Sequence, residues 1–346
     1  MNHICTWLCA DRKGEESDFP QSGRKSSSQK HQDIYWRCLI VFFITSKRFN
    51  KLEQHVLFTN LTSLPIIDGT PVADTLSALD VQIVPVEFKH KTPKGYFGAF
   101  QNQFFEFSIL EHIAKSNSNP KDLYLILDSD CIFVRPAHGL FKAAQANGYI
   151  SFEIDSPVSH KINGLSRMDM KGLFAELLGR PVDDVPAYHL GEFFLCNTEI
   201  IEKLVEDFSL LWPQLLLRNA AGKLKLNEEA HTLSYLFYKN DLHPSKDNTY
   251  IKRIWTNPVF YRNVSVDDSN LVIWHLPAEK TFGIAKLFRV LMKEKAFGNG
   301  LSKAEFTELL CRTFGIPSIS GTRKAEYYVV SYYKALRKRL LKRLSF

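Results

Sequence analysis

Two carboxylates, Asp128 and Asp130, are the residues of this chain whose type and spacing most directly suggest chemistry. They stand at i and i+2 in residues 121–136 (KDLYLILDSDCIFVRP), after the apolar run 123–127 and before a second apolar run that leads to Arg135 and Pro136. A continuous apolar run of that length reads as a strand covered on both faces, the kind found in parallel sheets. Paired carboxylates just past the carboxyl end of such a strand sit where open α/β sheets bind ligands. Their oxygens suit a hard divalent cation, Mg²⁺ or Mn²⁺, which keeps positions free for substrate phosphates. A cation there would neutralise a leaving diphosphate. A bare Asp-x-Asp usually marks a turn; the flanking strands and the Arg-Pro set this one apart.

The elements that must position these carboxylates can be read from apolar patterning. Strands are predicted over 4–9, 55–59 and 81–88, where Pro85 places a kink or a sheet edge. Residues 33–49 are predicted as a helix ending in a basic turn, and 100–114 have helical apolar spacing. Residues 149–154, 192–196 and 271–276 read as further strands, and 171–179, 199–219 and 228–238 as helices. The polar stretch 11–32 has no apolar periodicity and is predicted as a flexible loop. Strands alternating with helices indicate an α/β fold with a mainly parallel sheet.

The pattern of strand, Asp-Ser-Asp, strand and Arg-Pro resembles the signature of GT-A-fold glycosyltransferases. The order of 55–59, 81–88 and the helix starting near Phe100 is similar to that of glycogenin-like and lipopolysaccharide galactosyltransferase-like members. The resemblance implies a Rossmann-like GT-A sheet and transfer of a sugar from a nucleotide donor, most simply a UDP-sugar, to a hydroxyl on a glycan or glycolipid. It implies a metal site of Asp128, Asp130 and His275, with Lys280 at the diphosphate (271–280, LVIWHLPAEK); Pro277 or Ala278 stands where the family has Gly. Asp128 and Ser129 are expected at the donor, as is Gln101, which lies on the helix where the family often carries an Arg. In 188–198 (YHLGEFFLCNT), Gly191 would let the chain approach the donor sugar, with Glu192 beside it. Residues 227–235 (NEEAHTLSY) resemble the acidic helix start of blood-group-type transferases, and the resemblance makes Glu192 or Glu229 the candidate catalytic carboxylate, in contact with the donor sugar or near the reacting carbon. An acidic residue favoured by the positive end of a helix is the structural alternative for Glu229. Two other functions compete: a non-catalytic sugar-nucleotide or lipid-binding protein on the same scaffold, and an Asp-dependent phosphatase or nuclease.

Composition narrows the field further. The chain is 45% hydrophobic and 23% charged, which excludes global disorder. Six cysteines without a Cys-x-x-Cys pair predict buried reduced thiols and exclude a disulfide scaffold. No P-loop and no G-x-S-x-G elbow occur. No signal-peptide pattern or membrane-spanning run is found, so a cytoplasmic location is expected. The net charge is +7, yet residues 334–346 (KALRKRLLKRLSF) hold six basic side chains and no acid, which leaves 7 − 6 = +1 for residues 1–333. A near-neutral body speaks against a nucleic-acid partner, and a basic amphipathic tail predicts peripheral attachment to an anionic membrane surface. Two parts are expected: residues 1–283 as the GT-A-like domain, and 284–346 as a helical extension.

Overall fold

The computed structural model describes residues 1–16, 19, 25–116, 119–293 and 297–344; of residues 334, 335 and 337–344 it describes the backbone alone. The chain opens with β1 (Asn2–Leu8), α1 (Gln29–Phe49), β2 (Gln54–Thr59) and a small hairpin of β3 (Ile66–Ile67) and β4 (Thr70–Pro71). α2 (Val72–Ala78), β5 (Val81–Pro85), α3 (Phe105–Ser116), β6 (Leu123–Leu127) and β7 (Cys131–Phe133) complete the first half. Next come α4 (His138–Gln145), β8 (Tyr149–Ile150), α5 (Arg167–Leu178), β9 (Phe193–Asn197), α6 (Thr198–Ala220) and α7 (Glu229–Lys239). Short strands β10 (Ile251–Arg253), β11 (Thr256–Asn257), β12 (Tyr261–Arg262) and β13 (Ile273–His275) lead to α8 (Gly283–Lys293), α9 (Lys303–Phe314) and α10 (Gly321–Leu344).

Six strands form one sheet in the order β5-β2-β1-β6-β9-β8. β5, β2, β1 and β6 run parallel, while β9 runs opposite to them and pairs antiparallel with β6 and β8, so the expected mainly parallel α/β sheet is observed. Apolar side chains cover both faces. On one face Trp36, Leu39, Phe42 and Phe43 of α1 pack with Leu287 and Phe288 of α8 and Phe306 of α9. On the other, Phe107 of α3, Leu204 and Phe208 of α6 and Leu236 of α7 form a second cluster. Each such side chain contributes about 1.5–3 kcal/mol when fully buried. The apolar residues of α8 and α9 thus share a core with α1 and the sheet.

Several boundaries differ from those predicted, for local reasons. α1 begins at Gln29 because Ser28 caps it, its side chain accepting from the His31 amide, so 29–32 are helix and not loop. Phe19 and Ser26, also inside the predicted flexible loop, are buried; the part of that loop at 17–18 and 20–24 lies outside the described residues. Phe100 has φ of +56°, so a one-turn 3₁₀ helix over Gln101–Phe104 precedes α3. The strand expected over 149–154 ends at Ile150, after which Phe152 and Ile154 keep single backbone bonds to Leu190 and Tyr188. Pro85 ends β5, which pairs with β2 alone and forms the sheet edge, where a missing amide donor costs nothing.

Of the six cysteines, five are buried, Cys311 is half-buried and all are free thiols. No helix among the described residues is long and apolar enough to cross a membrane. α10 is helical through Leu344, but the apolar stripe expected along its end rests on side chains outside the described set, and 345–346 lie beyond it.

Candidate active site

The register of a second, three-stranded sheet explains how distant residues meet. It runs β10-β13-β7, and the antiparallel pairing of β13 with β7 sets His275 opposite Cys131, the residue after Asp130. The Leu276 amide donates to the Asp130 carbonyl at 3.1 Å and the Cys131 amide to the Asp128 carbonyl at 3.0 Å, closing the Asp-Ser-Asp turn. On the other side Leu127 pairs with Phe193, and the Asp128 amide reaches the Glu192 carbonyl at 3.3 Å. The ends of β6 and β13 and the start of β9 therefore converge on one point.

Ligand atoms of Asp128, Asp130 and His275 lie within 4.8 Å of one another there. His275 Nε2 is 3.2 Å from Asp130 Oδ2 and 3.8 Å from Asp128 Oδ2. Nε2 is buried and faces these two carboxylates, whereas Nδ1 is 2.9 Å from Glu192 Oε1. A histidine held through one nitrogen by a carboxylate, with the other aimed at two carboxylates, has the form of a metal-ligating imidazole. Oxygen-rich ligands plus one imidazole suit Mn²⁺ or Mg²⁺, so the residues present fit such an ion.

Glu192 is buried and spends both oxygens: Arg253 Nε donates to Oε1 at 2.9 Å, and Arg253 Nη2 pairs with Oε2. Lys280 Nζ donates to Asp130 Oδ2 at 2.5 Å and stands 5.6 Å from the Tyr35 ring centre. The charges sort accordingly. Burial opposes ionisation of Asp130, but Lys280 and His275 outweigh it and hold the carboxyl well below its usual range. Burial also disfavours the His275 cation, yet Asp130 and Glu192 raise it to about 9. Asp128, whose positive neighbours lie farther off, is pushed up to about 6 by burial and by Asp130.

These residues line a cleft of about 290 Å³. Its far wall is the start of α7. Glu228 accepts from Tyr188 Oη and Asn163 Nδ2, while Glu229 keeps one buried oxygen, Oε2, without a partner. Burial, Glu228, Glu106 and Asp128 together raise Glu229 well above the carboxyl range. Gly191 is where that wall touches β9. A Cβ built on it would meet Glu229 Oε1 at 2.8 Å and Ala230 Cβ at 2.9 Å.

Asp128, Ser129, Asp130, Gly191, Glu192, Glu229, His275 and Lys280 thus all line one cleft, although some are separated by 150 positions. Gln101 does not join them. Its Nε2 turns to the carbonyls of Ala99, at 2.8 Å, and Asn227, while its neighbours Asn102 and Gln103 line the cleft. Arg253, Trp255, Tyr35 and Glu106 were not foreseen. Two basic residues, Lys252 and Arg253, between the apolar Ile251 and Ile254-Trp255 are the sequence hint for Arg253. Glu106 is buried in the first turn of α3 between Phe105 and Phe107, with its acid raised by burial and Asp128.

No family model matches this chain, and no curated protein matches it. Solved structures do. The galactosyltransferase LgtC, in complex with donor and acceptor sugar analogues, is similar at 10% identity and a TM-score of 0.47, over 79% of this chain and 86% of that one. Mouse xyloside xylosyltransferase 1 in its apo form is similar at 13% identity and 0.43, over 80% and 97%. The bifunctional glycosyltransferase WbbM, also apo, is similar at 10% and 0.47, over 79% of this chain and 45% of that one.

Proposed function

We propose that this protein is a metal-dependent GT-A-type glycosyltransferase that moves a sugar from a nucleotide donor, most simply a UDP-sugar, to a glycan or glycolipid hydroxyl. The observation that carries this is the convergence of Asp128, Asp130 and Nε2 of His275 on one point of the cleft, with Lys280 on the same rim. Asp128, Asp130 and His275 would hold Mn²⁺ or Mg²⁺, which supplies charge neutralisation to a leaving diphosphate. Transfer breaks the bond from the anomeric carbon to the diphosphate oxygen and forms one to the acceptor oxygen, whose proton leaves.

Each residue has a task in this reading. Lys280 sits on Asp130 and swings its ammonium onto the diphosphate as negative charge develops there. Asp128 and Ser129 meet the donor at the end of β6. Glu192, with both oxygens engaged, is a positioning residue that presents His275 Nε2. Gly191 lets the start of α7 close on β9, and Glu229 offers its unpartnered oxygen to the sugar. Residues 1–283 carry these groups, and 284–346 buttress them. Calorimetric titration of UDP with and without Mn²⁺ tests the core of the reading: binding should need the metal and be lost in Asp130→Asn. Normal binding by that variant sinks the metal assignment.

The same reading places the acceptor at an anionic membrane surface, supported by exposed Tyr332, Tyr333 and Leu336 beside the six basic residues of 334–346. Sedimentation with anionic liposomes should weaken when 334–346 are removed; undiminished binding defeats that part.

A further inference from the structure

Lys280 is followed three residues later by α8, yet its chain neighbour Glu279 is held by α10, a helix that starts more than forty residues on. Glu279, its neighbour in the chain, is fully buried. Arg323 Nη2 of α10 donates to Glu279 Oε2 at 2.9 Å, and the Gly283 amide donates to the same oxygen at 2.7 Å. Oε1 accepts from Thr256 Oγ1 and from Tyr327 Oη, and Tyr327 Oη lies 3.0 Å from Thr256 Oγ1. The Arg323 guanidinium stacks 3.9 Å from the Phe282 ring centre and 4.8 Å from that of Tyr327. Space is tight enough that a Cβ at Gly283 would collide with the Glu279 carboxylate and stand 2.9 Å from Arg323 Nη2.

We propose that the start of α10 is a positioning device for the donor diphosphate: Arg323 and Tyr327 clamp Glu279, and Glu279 fixes the 276–283 loop that carries Lys280. Arg323 and Tyr327 are four apart and so share one helix face. The loop is anchored at its other end by Leu276 on the Asp130 carbonyl. With both ends held, the Lys280 ammonium is delivered to a defined place, which is what stabilising a developing charge requires. Loss of Arg323 removes the cation held 2.9 Å from the fully buried Glu279 side chain, and the loop must rearrange to relieve it. The clamp rests on the donor reading above, but none of its members touches the metal-ligand cluster.

The test separates phosphate from nucleoside. In full-length protein with Mn²⁺, UDP and uridine affinities are measured for the wild type, Lys280→Ala, Arg323→Ala, Arg323→Lys and Tyr327→Phe. A displaced Lys280 should weaken UDP about tenfold in Arg323→Ala and about threefold in Tyr327→Phe, with uridine affinity unchanged. Arg323→Lys should recover most of the loss. If Arg323→Ala does not fold, Tyr327→Phe, which removes one hydroxyl and keeps the ring, decides alone. Parallel losses for UDP and uridine overturn the clamp, as does unchanged UDP affinity in the α10 variants when Lys280→Ala is weakened. If Lys280→Ala itself binds UDP like the wild type, the donor reading falls first and takes the clamp with it.

Discussion

The two walls of the cleft treat their carboxyl groups in opposite ways. On the β6–β13 wall the two acids with least exposure have close cations: Asp130 has Lys280 and His275, and Glu192 has Arg253 and His275, while the part-exposed Asp128 lies farther from them. Asp130 and Glu192 are held below the usual carboxyl range, because these partners outweigh the burial that would raise them. On the α7 wall Glu228, Glu229 and nearby Glu106 crowd together, and burial leads all three to be raised. Arg253, whose charge acts on Glu228, is spent on Glu192. Burial is similar on the two sides, so partner supply decides which acids ionise. In the proposed function the charged wall would face a cation and phosphates, and the uncharged wall would face sugar hydroxyls.

Substitutions can break or sharpen that contrast. Asp130→Asn, on the charged wall, should abolish Mn²⁺-dependent UDP binding in a calorimetric titration. Glu192→Gln comes next: it frees His275 to rotate and leaves Arg253 without its acid. Mn²⁺ affinity followed by competition with a chelating dye should drop about 10–100-fold. Retained affinity would mean that His275 is held by something other than Glu192.

At the seam between the walls, Gly191→Ala should lower stability by about 1–3 kcal/mol, read from urea unfolding, because the new methyl meets Glu229 and Ala230. An unchanged midpoint would show that the α7 start can back away. The effect confined to high pH is the most diagnostic for the contrast. Glu229 is raised in the fold, so the folded protein keeps a proton that the unfolded chain releases above its ordinary carboxyl range. Its contribution is therefore full below about pH 4.5 and is lost as pH rises toward the folded value, by about 1.4 kcal/mol per unit. Glu229→Gln should accordingly melt higher than the wild type at pH 8 and equally at pH 4. A variant that melts lower at pH 8 would place Glu229 among the ionised, paired acids.

How much of this was legible beforehand follows from the range of the interactions. The helix 33–49 and the strands 55–59 and 123–127 were readable because their apolar patterns are local and outweigh everything nearby. Element ends were less so: Ser28 as a cap and the left-handed Phe100 depend on single hydrogen bonds and one backbone angle. Gln101 was assigned to the donor by its place on the helix. The 3₁₀ turn before α3 rotates it toward Ala99 and Asn227 and gives the cleft to Asn102 and Gln103 instead.

By itself the sequence determined the α/β alternation and the Asp128-Ser129-Asp130 turn at the end of a buried strand. A run of adjacent residues is enough to specify both. Only the tertiary structure decided which partners those carboxylates receive. The pairing of β13 with β7 brings His275 across 145 positions to Asp130, and β9 brings Glu192 and, through it, Arg253. A residue's ionisation and orientation are set by charges a few ångströms away, and chain folding, not sequence spacing, chooses those neighbours.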